Sequence, residues 1–123
     1  MKLTFPAWNN ERYLSLAELL LLIGRFFINC EWYLRVEEVA PEPGAELLEK
    51  IDPKEPIDIF TLLHLVTPEI QIVDGTVVAV ELGSHEISLV LRAIDSTSWE
   101  IESEKKDIEA IIREKYPDAQ QLD

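Results

Sequence analysis

The segment Ile70-Gln71-Ile72-Val73-Asp74-Gly75-Thr76-Val77-Val78-Ala79-Val80-Glu81-Leu82-Gly83-Ser84-His85-Glu86-Ile87-Ser88-Leu89-Val90-Leu91 decides the fold. Asp74-Gly75 lies between two β-branched runs and can supply the positive φ angles of a type I′ turn, so it predicts a hairpin. Gly83-Ser84, between Leu82 and His85, suits a type II′ turn because glycine comes first. A two-residue loop there pairs Leu82 with His85, Val80 with Ile87 and Val78 with Leu89. This register gives Val78, Val80, Leu82, Ile87, Leu89 and Leu91 to the core face. It leaves Val77, Ala79, Glu81, Glu86, Ser88, Val90 and Arg92 on the other face. Asp95-Ser96-Thr97-Ser98 reads as a further turn, and Trp99 with Ile101 as a short strand. Residues 69–102 are therefore an expected antiparallel meander.

Upstream, Ser15-Leu16-Ala17-Glu18 matches a capping box, and Leu16, Leu20, Ile23 and Phe27 recur at helical spacing. From Glu31 to Val39 the period changes to two, with Trp32, Leu34 and Val36 on the inner phase, until Pro41 and Pro43 end the strand. Ala45–Ile51 reads as a short helix with Leu47, Leu48 and Ile51 inward. Asp58–Val66 reads as a second helix, with a strand across Ile57–Val66 as the competing assignment. The aromatic first fourteen residues are expected to pack on the domain. Ser103 is expected to cap a helix running to about Tyr116, striped with Ile108, Ile111 and Ile112 and stopped by Pro117.

This order predicts an α+β fold: an antiparallel sheet of about four to five strands with helices mainly on one face. The 123 residues suit one domain spanning 1–123. Cys30 is the only cysteine, so no internal disulfide forms, and a cytoplasmic location is expected. The apolar run Leu19–Ile23 is too short to span a bilayer, so no membrane partner is expected.

Charge points in one direction. Eleven basic side chains face 24 acidic ones, a formal net of −13. Nucleic acid is an unfavourable partner for such a surface, because phosphate binding needs clustered Lys and Arg. Residues 41–75 hold eight carboxylates against Lys50 and Lys54. Among them Glu42, Glu46, Glu49, Asp52 and Glu55 fall on short helices and a turn, where several share an exposed surface. A surface of this kind accelerates encounter with a basic protein.

No nucleophile elbow, HExxH, CxxC, GxGxxG or GxxxxGK spacing occurs, so no catalytic residue, metal or cofactor is assigned. The first expectation is a non-catalytic interaction module of inhibitor, immunity or chaperone type, docking on a basic protein. The alternative is a pocket protein or enzyme with its cavity between sheet and helices. It would use His64 and Thr61, or Glu81 and Glu86, which the favoured register sets opposite each other. A homodimer through the less apolar sheet face, where Val77, Ala79 and Val90 seek cover, is compatible with both.

Overall fold

A computed structural model describes residues 1–67 and 70–122; residue 69, where the expected meander opens, lies outside the described residues. Among the described residues, eight strands and four helices occur in the order β1 (Lys2–Pro6), β2 (Trp8–Asn9), β3 (Arg12–Tyr13), α1 (Leu16–Ile23), β4 (Cys30–Val39), α2 (Ala45–Glu49), α3 (Ile59–Leu65), β5 (Ile72–Glu81), β6 (Ile87–Ile94), β7 (Ser98–Glu102), α4 (Lys106–Lys115) and β8 (Gln120–Gln121). A 3₁₀ turn, Gly24–Phe27, extends α1. Six strands form one antiparallel sheet in the order β4-β5-β6-β7-β1-β8, and β2 with β3 makes a separate small hairpin. The class is α+β, with a wider sheet than the meander alone supplies. No helix among the described residues is long and apolar enough to cross a membrane.

Directly opposed residues on antiparallel strands share a face. Leu34, Val77, Leu91, Ile101 and Leu3 form one such row. All five are buried, in the same core cluster as Leu16, Leu20 and Ile23 of α1, Leu48 of α2, Leu62 of α3 and Ile108 and Ile112 of α4. One sheet face is thus covered by helices. Ser15 caps α1 as its sequence requires, its Oγ accepting from the Glu18 amide at 3.2 Å. Trp32 and Leu34 occupy the inner phase of β4, as the alternation predicts. Glu109 and Arg113 pair at 2.9 Å on the outside of α4.

Two turn expectations fail, for related reasons. Asp74-Gly75 does not turn: both residues lie inside β5, and Gly75 opposes Val36 and Ala93. Glycine is needed there for close approach, because a Cβ would come within 3.0 Å of the Arg35 carbonyl oxygen and of Ile72 Cγ2. The type I′ geometry appears instead at Asp95-Ser96, with φ of 52° and 57° and a Thr97 amide to Ile94 carbonyl bond of 2.9 Å. Neighbours hold this glycine-free turn in place. Asp74 Oδ1 accepts from the Asp95 amide (2.9 Å), Val73 O accepts from the Ser96 amide (2.9 Å), and Ser96 O accepts from Trp8 Nε1 (2.6 Å).

The loop between β5 and β6 also departs from a two-residue turn. It runs through four residues, Leu82–His85, closed by Glu81 N–H to Glu86 O at 2.9 Å, and His85 rather than Gly83 takes positive φ. Val80 does oppose Ile87, but the register then shifts, so that Ala79 opposes Leu89 and Val78 opposes Val90. That bulge exchanges the faces of β5. Val77 and Ala79 are core residues, whereas Val78 and Val80 face outward and Leu82 and Ile87 are exposed.

Two smaller expectations change as well. Leu47 points outward because five-residue α2 seats only Ala45 and Leu48. Ser103 lies before α4 and is buried; its Oγ accepts from the Lys105 amide and donates to Ser88 O, leaving Lys105 as the capping position.

Candidate functional site

The acidic segment becomes the crossover that carries the chain from β4 to β5 by way of α2 and α3. Its base is closed by Ala40 N–H to Gln71 O (2.9 Å) and by Gln71 N–H to Glu42 Oε2 (2.8 Å). Its middle is stitched to edge strand β4 through a two-way bridge between Trp32 and Ile57, at 2.9 and 2.8 Å. Leu48, Leu62, Val66 and Ile70 anchor it in the core. Four buried side chains and these backbone bonds make the crossover a fixed frame rather than a loose loop.

On that frame the predicted acidic residues divide. Glu46, Glu49, Asp52 and Glu55 are exposed. Glu42 is half-buried and already committed to the Gln71 amide, so it belongs to the scaffold. Glu46 and Glu49 stand three apart on α2 and share its outer side. Asp52 Oδ1 accepts from the Lys54 amide at 2.9 Å, shaping the turn while its carboxylate stays at the surface. Asp58 caps α3 by accepting from the Thr61 amide and hydroxyl, and the amide bond in particular holds its carboxyl below the usual range.

None of the ion pairs among the described residues includes a carboxylate of this crossover. Two large apolar side chains stand among the charges: Phe60 on α3, 73% exposed, and Leu47 on α2, 55% exposed. Sequence reasoning placed Leu47 inward and gave Phe60 no role. The available signal was the shortness of the helices, which cannot bury Leu47 with Leu48, or Phe60 with Leu62.

Among the described residues, neither of the two larger clefts brings the residues of the pocket alternative together. Thr61 and His64 are exposed on α3, and the Thr61 hydroxyl is engaged with Asp58. Glu81 and Glu86 oppose each other through the backbone at the hairpin tip, as their spacing predicts, and both are exposed. Glu81 also lies opposite Cys30 of β4, at the rim of the helix-covered face. The Glu81 carboxylate accepts from Ser84 Oγ at 3.3 Å. Among the described residues no three His, Cys, Asp or Glu side chains are grouped to hold a metal ion.

Two open clefts of about 590 Å³ lie elsewhere. One, lined by Arg12, Glu18 and Tyr116, separates the β2–β3 hairpin and α1 from the end of α4. Glu18 there accepts from Arg12 and from the Tyr116 hydroxyl (3.2 Å). Burial and the Glu18 charge push the phenol well above its ordinary pKa, so it keeps its proton and acts as a clasp between α4 and α1. The other cleft is lined by Arg25, Cys30, Glu81 and Lys105. Burial, with help from Glu81 against Lys105, raises the Cys30 thiol pKa, the opposite of what a nucleophile needs. Neither cleft is lined by His64, Thr61 or Glu86. No protein-family model, curated protein or solved structure matches the chain.

Proposed function

We propose that this chain is a non-catalytic, cytoplasmic interaction module that docks on a basic protein through the outer side of the α2–α3 crossover. The observation that carries this reading is the combination of Glu46, Glu49, Asp52 and Glu55, exposed and outside every ion pair described, with the outward Phe60 and Leu47. Carboxylates of one sign steer a cationic partner and set its orientation. An exposed aromatic ring supplies the desolvated anchor that charge alone cannot provide. Inhibitor, immunity and chaperone-like roles all use such a surface, and a lone thiol suits a reducing compartment.

The test is affinity capture from cell lysate at low and high salt, with mass-spectrometric identification. The immobilised baits are the wild-type chain, a Phe60→Ala variant and a variant with Glu46, Glu49, Asp52 and Glu55 changed to their amides. Support consists of one basic protein retained by wild type at low salt, lost at high salt and absent from both variants. Capture that ignores both ionic strength and these substitutions refutes the proposal.

A further inference from the structure

We propose that the uncovered face of the sheet is the docking surface for a second copy of this chain, about a two-fold axis running along the strands between β5 and β6. On the outer face Arg35, Thr76, Arg92 and Glu100 form one row across β4, β5, β6 and β7. Tyr33, Val78, Val90 and Glu102 form the next row, and Glu31, Val80 and Ile87 the third. The apolar members concentrate on β5 and β6: Val90 is buried, Val78 and Val80 are half-buried, and Ile87 is 63% exposed.

Charge identifies the occupant. Across these rows stand Arg35 and Arg92 against Glu31, Glu100 and Glu102. This patch carries a net of only −1, so −12 of the net −13 resides on the rest of the chain. Two molecules this acidic repel each other in most orientations, and a nearly neutral face with an aliphatic centre gives them an approach at little such cost. A cationic partner gains little attraction from the same face.

The two-fold also matches the pattern row by row. Rotation about an axis along the strands exchanges β4 with β7 and β5 with β6 while keeping each row at its own level. Val78 then meets Val90 of the second copy, Val80 meets Ile87, and Arg35 meets Glu100. Each contact occurs twice, as an isologous interface requires. Aligned sheet-on-sheet packing about 10 Å apart is a standard solution for two apolar sheet faces. The four opposed strands spaced about 4.8 Å and five residues of about 3.3 Å give a flat footprint of roughly 320 Å² per copy. Corrugation brings the total buried area to about 800 Å², in the range of weak, transient contacts, so the dimer is reversible and micromolar or weaker.

Sedimentation velocity over a concentration series reaching about 0.5 mM, well above a micromolar Kd, tests this. The samples are wild type, Arg35→Glu, Glu100→Arg, the double swap and Ile87→Ser, each checked for an unchanged urea midpoint. The expected result is a wild-type dimer at high concentration, monomers for the three single variants, and the dimer restored in the double swap. Ile87→Ser acts without altering charge and so tests the face independently of the swap. A wild-type monomer throughout, a dimer indifferent to the single substitutions, or a double swap that stays monomeric overturns the proposal.

Discussion

Replacing Asp95 by glycine should stabilise this protein, although it deletes a side chain and lengthens no contact. Asp95 has φ of 52° in a type I′ turn and Ser96 follows at 57°. For an L-residue that region costs about 1–2 kcal/mol, with Asp at the low end because its short polar side chain tolerates it. Glycine removes the strain but gains freedom in the unfolded chain, which costs about 0.4–1 kcal/mol. The turn keeps its external bonds, because it is the Asp95 amide, not its carboxylate, that reaches Asp74 Oδ1. One negative charge also leaves the neighbourhood of Asp74. The net expectation is a gain of up to about 0.6 kcal/mol, or a rise in Tm of up to about 2–3 °C for a domain of this size.

Gly75→Ala should do the reverse. Its Cβ meets the Arg35 carbonyl and Ile72 Cγ2 at 3.0 Å, and backbone cannot yield as a side-chain tip does. Overpacking of about 1–3 kcal/mol, less the entropy gained by losing glycine, leaves a net loss of about 1 kcal/mol. Urea unfolding followed by tryptophan fluorescence reads both as shifts in midpoint at constant slope. A lowered midpoint for Asp95→Gly, or a raised one for Gly75→Ala, refutes this placement of turn and strand.

Three further outcomes follow from individual groups. Ser15→Ala leaves the Glu18 amide of α1 without its 3.2 Å partner in a buried setting and should cost about 1–2 kcal/mol, read from the urea midpoint. Burial lifts the Tyr13 pKa from 10.0 to about 12, so between these values the unfolded chain loses a proton that the folded chain keeps. Stability is therefore full below pH 10 and falls as pH rises from 10 toward 12. Tyr13→Phe should flatten that fall when urea midpoints are compared across the range. Phe60→Ala, at a side chain 73% exposed, should move the urea midpoint by no more than about 0.5 kcal/mol, while weakening partner binding about 30-fold, or about 2 kcal/mol. Isothermal titration of the captured partner measures the second effect.

Local signals in the sequence carried most of the secondary structure. The Ser15 cap, the alternation around Trp32 and Leu34 and the stripe Ile108–Ile112 each depend on neighbours within a few residues, and each element forms where its pattern lies. What escaped was set by distant chain. β1 pairs with β7 across almost the whole sequence, and Leu3 opposite Ile101 leaves no local trace in a five-residue segment ending at Pro6. Asp74-Gly75 has ideal turn composition, yet the packing of β4 over β5 uses the missing Cβ instead. The one-residue bulge between Ala79 and Val80 inverted the expected faces, a change that alternating apolar residues on both phases of β5 could not oppose. The charge run identified Glu46, Glu49, Asp52 and Glu55 correctly as surface groups. It did not separate off Glu42, whose partner Gln71 is 29 residues away.

The most direct measurement is the salt dependence of partner affinity for wild type against the chain neutralised at Glu46, Glu49, Asp52 and Glu55. The prediction is a wild-type Kd that weakens steeply from low salt to about 0.5 M, where exposed charges are screened within a few ångströms, and a weaker, nearly flat Kd for the neutralised chain. Identical slopes for the two chains would contradict an acidic crossover as the docking surface.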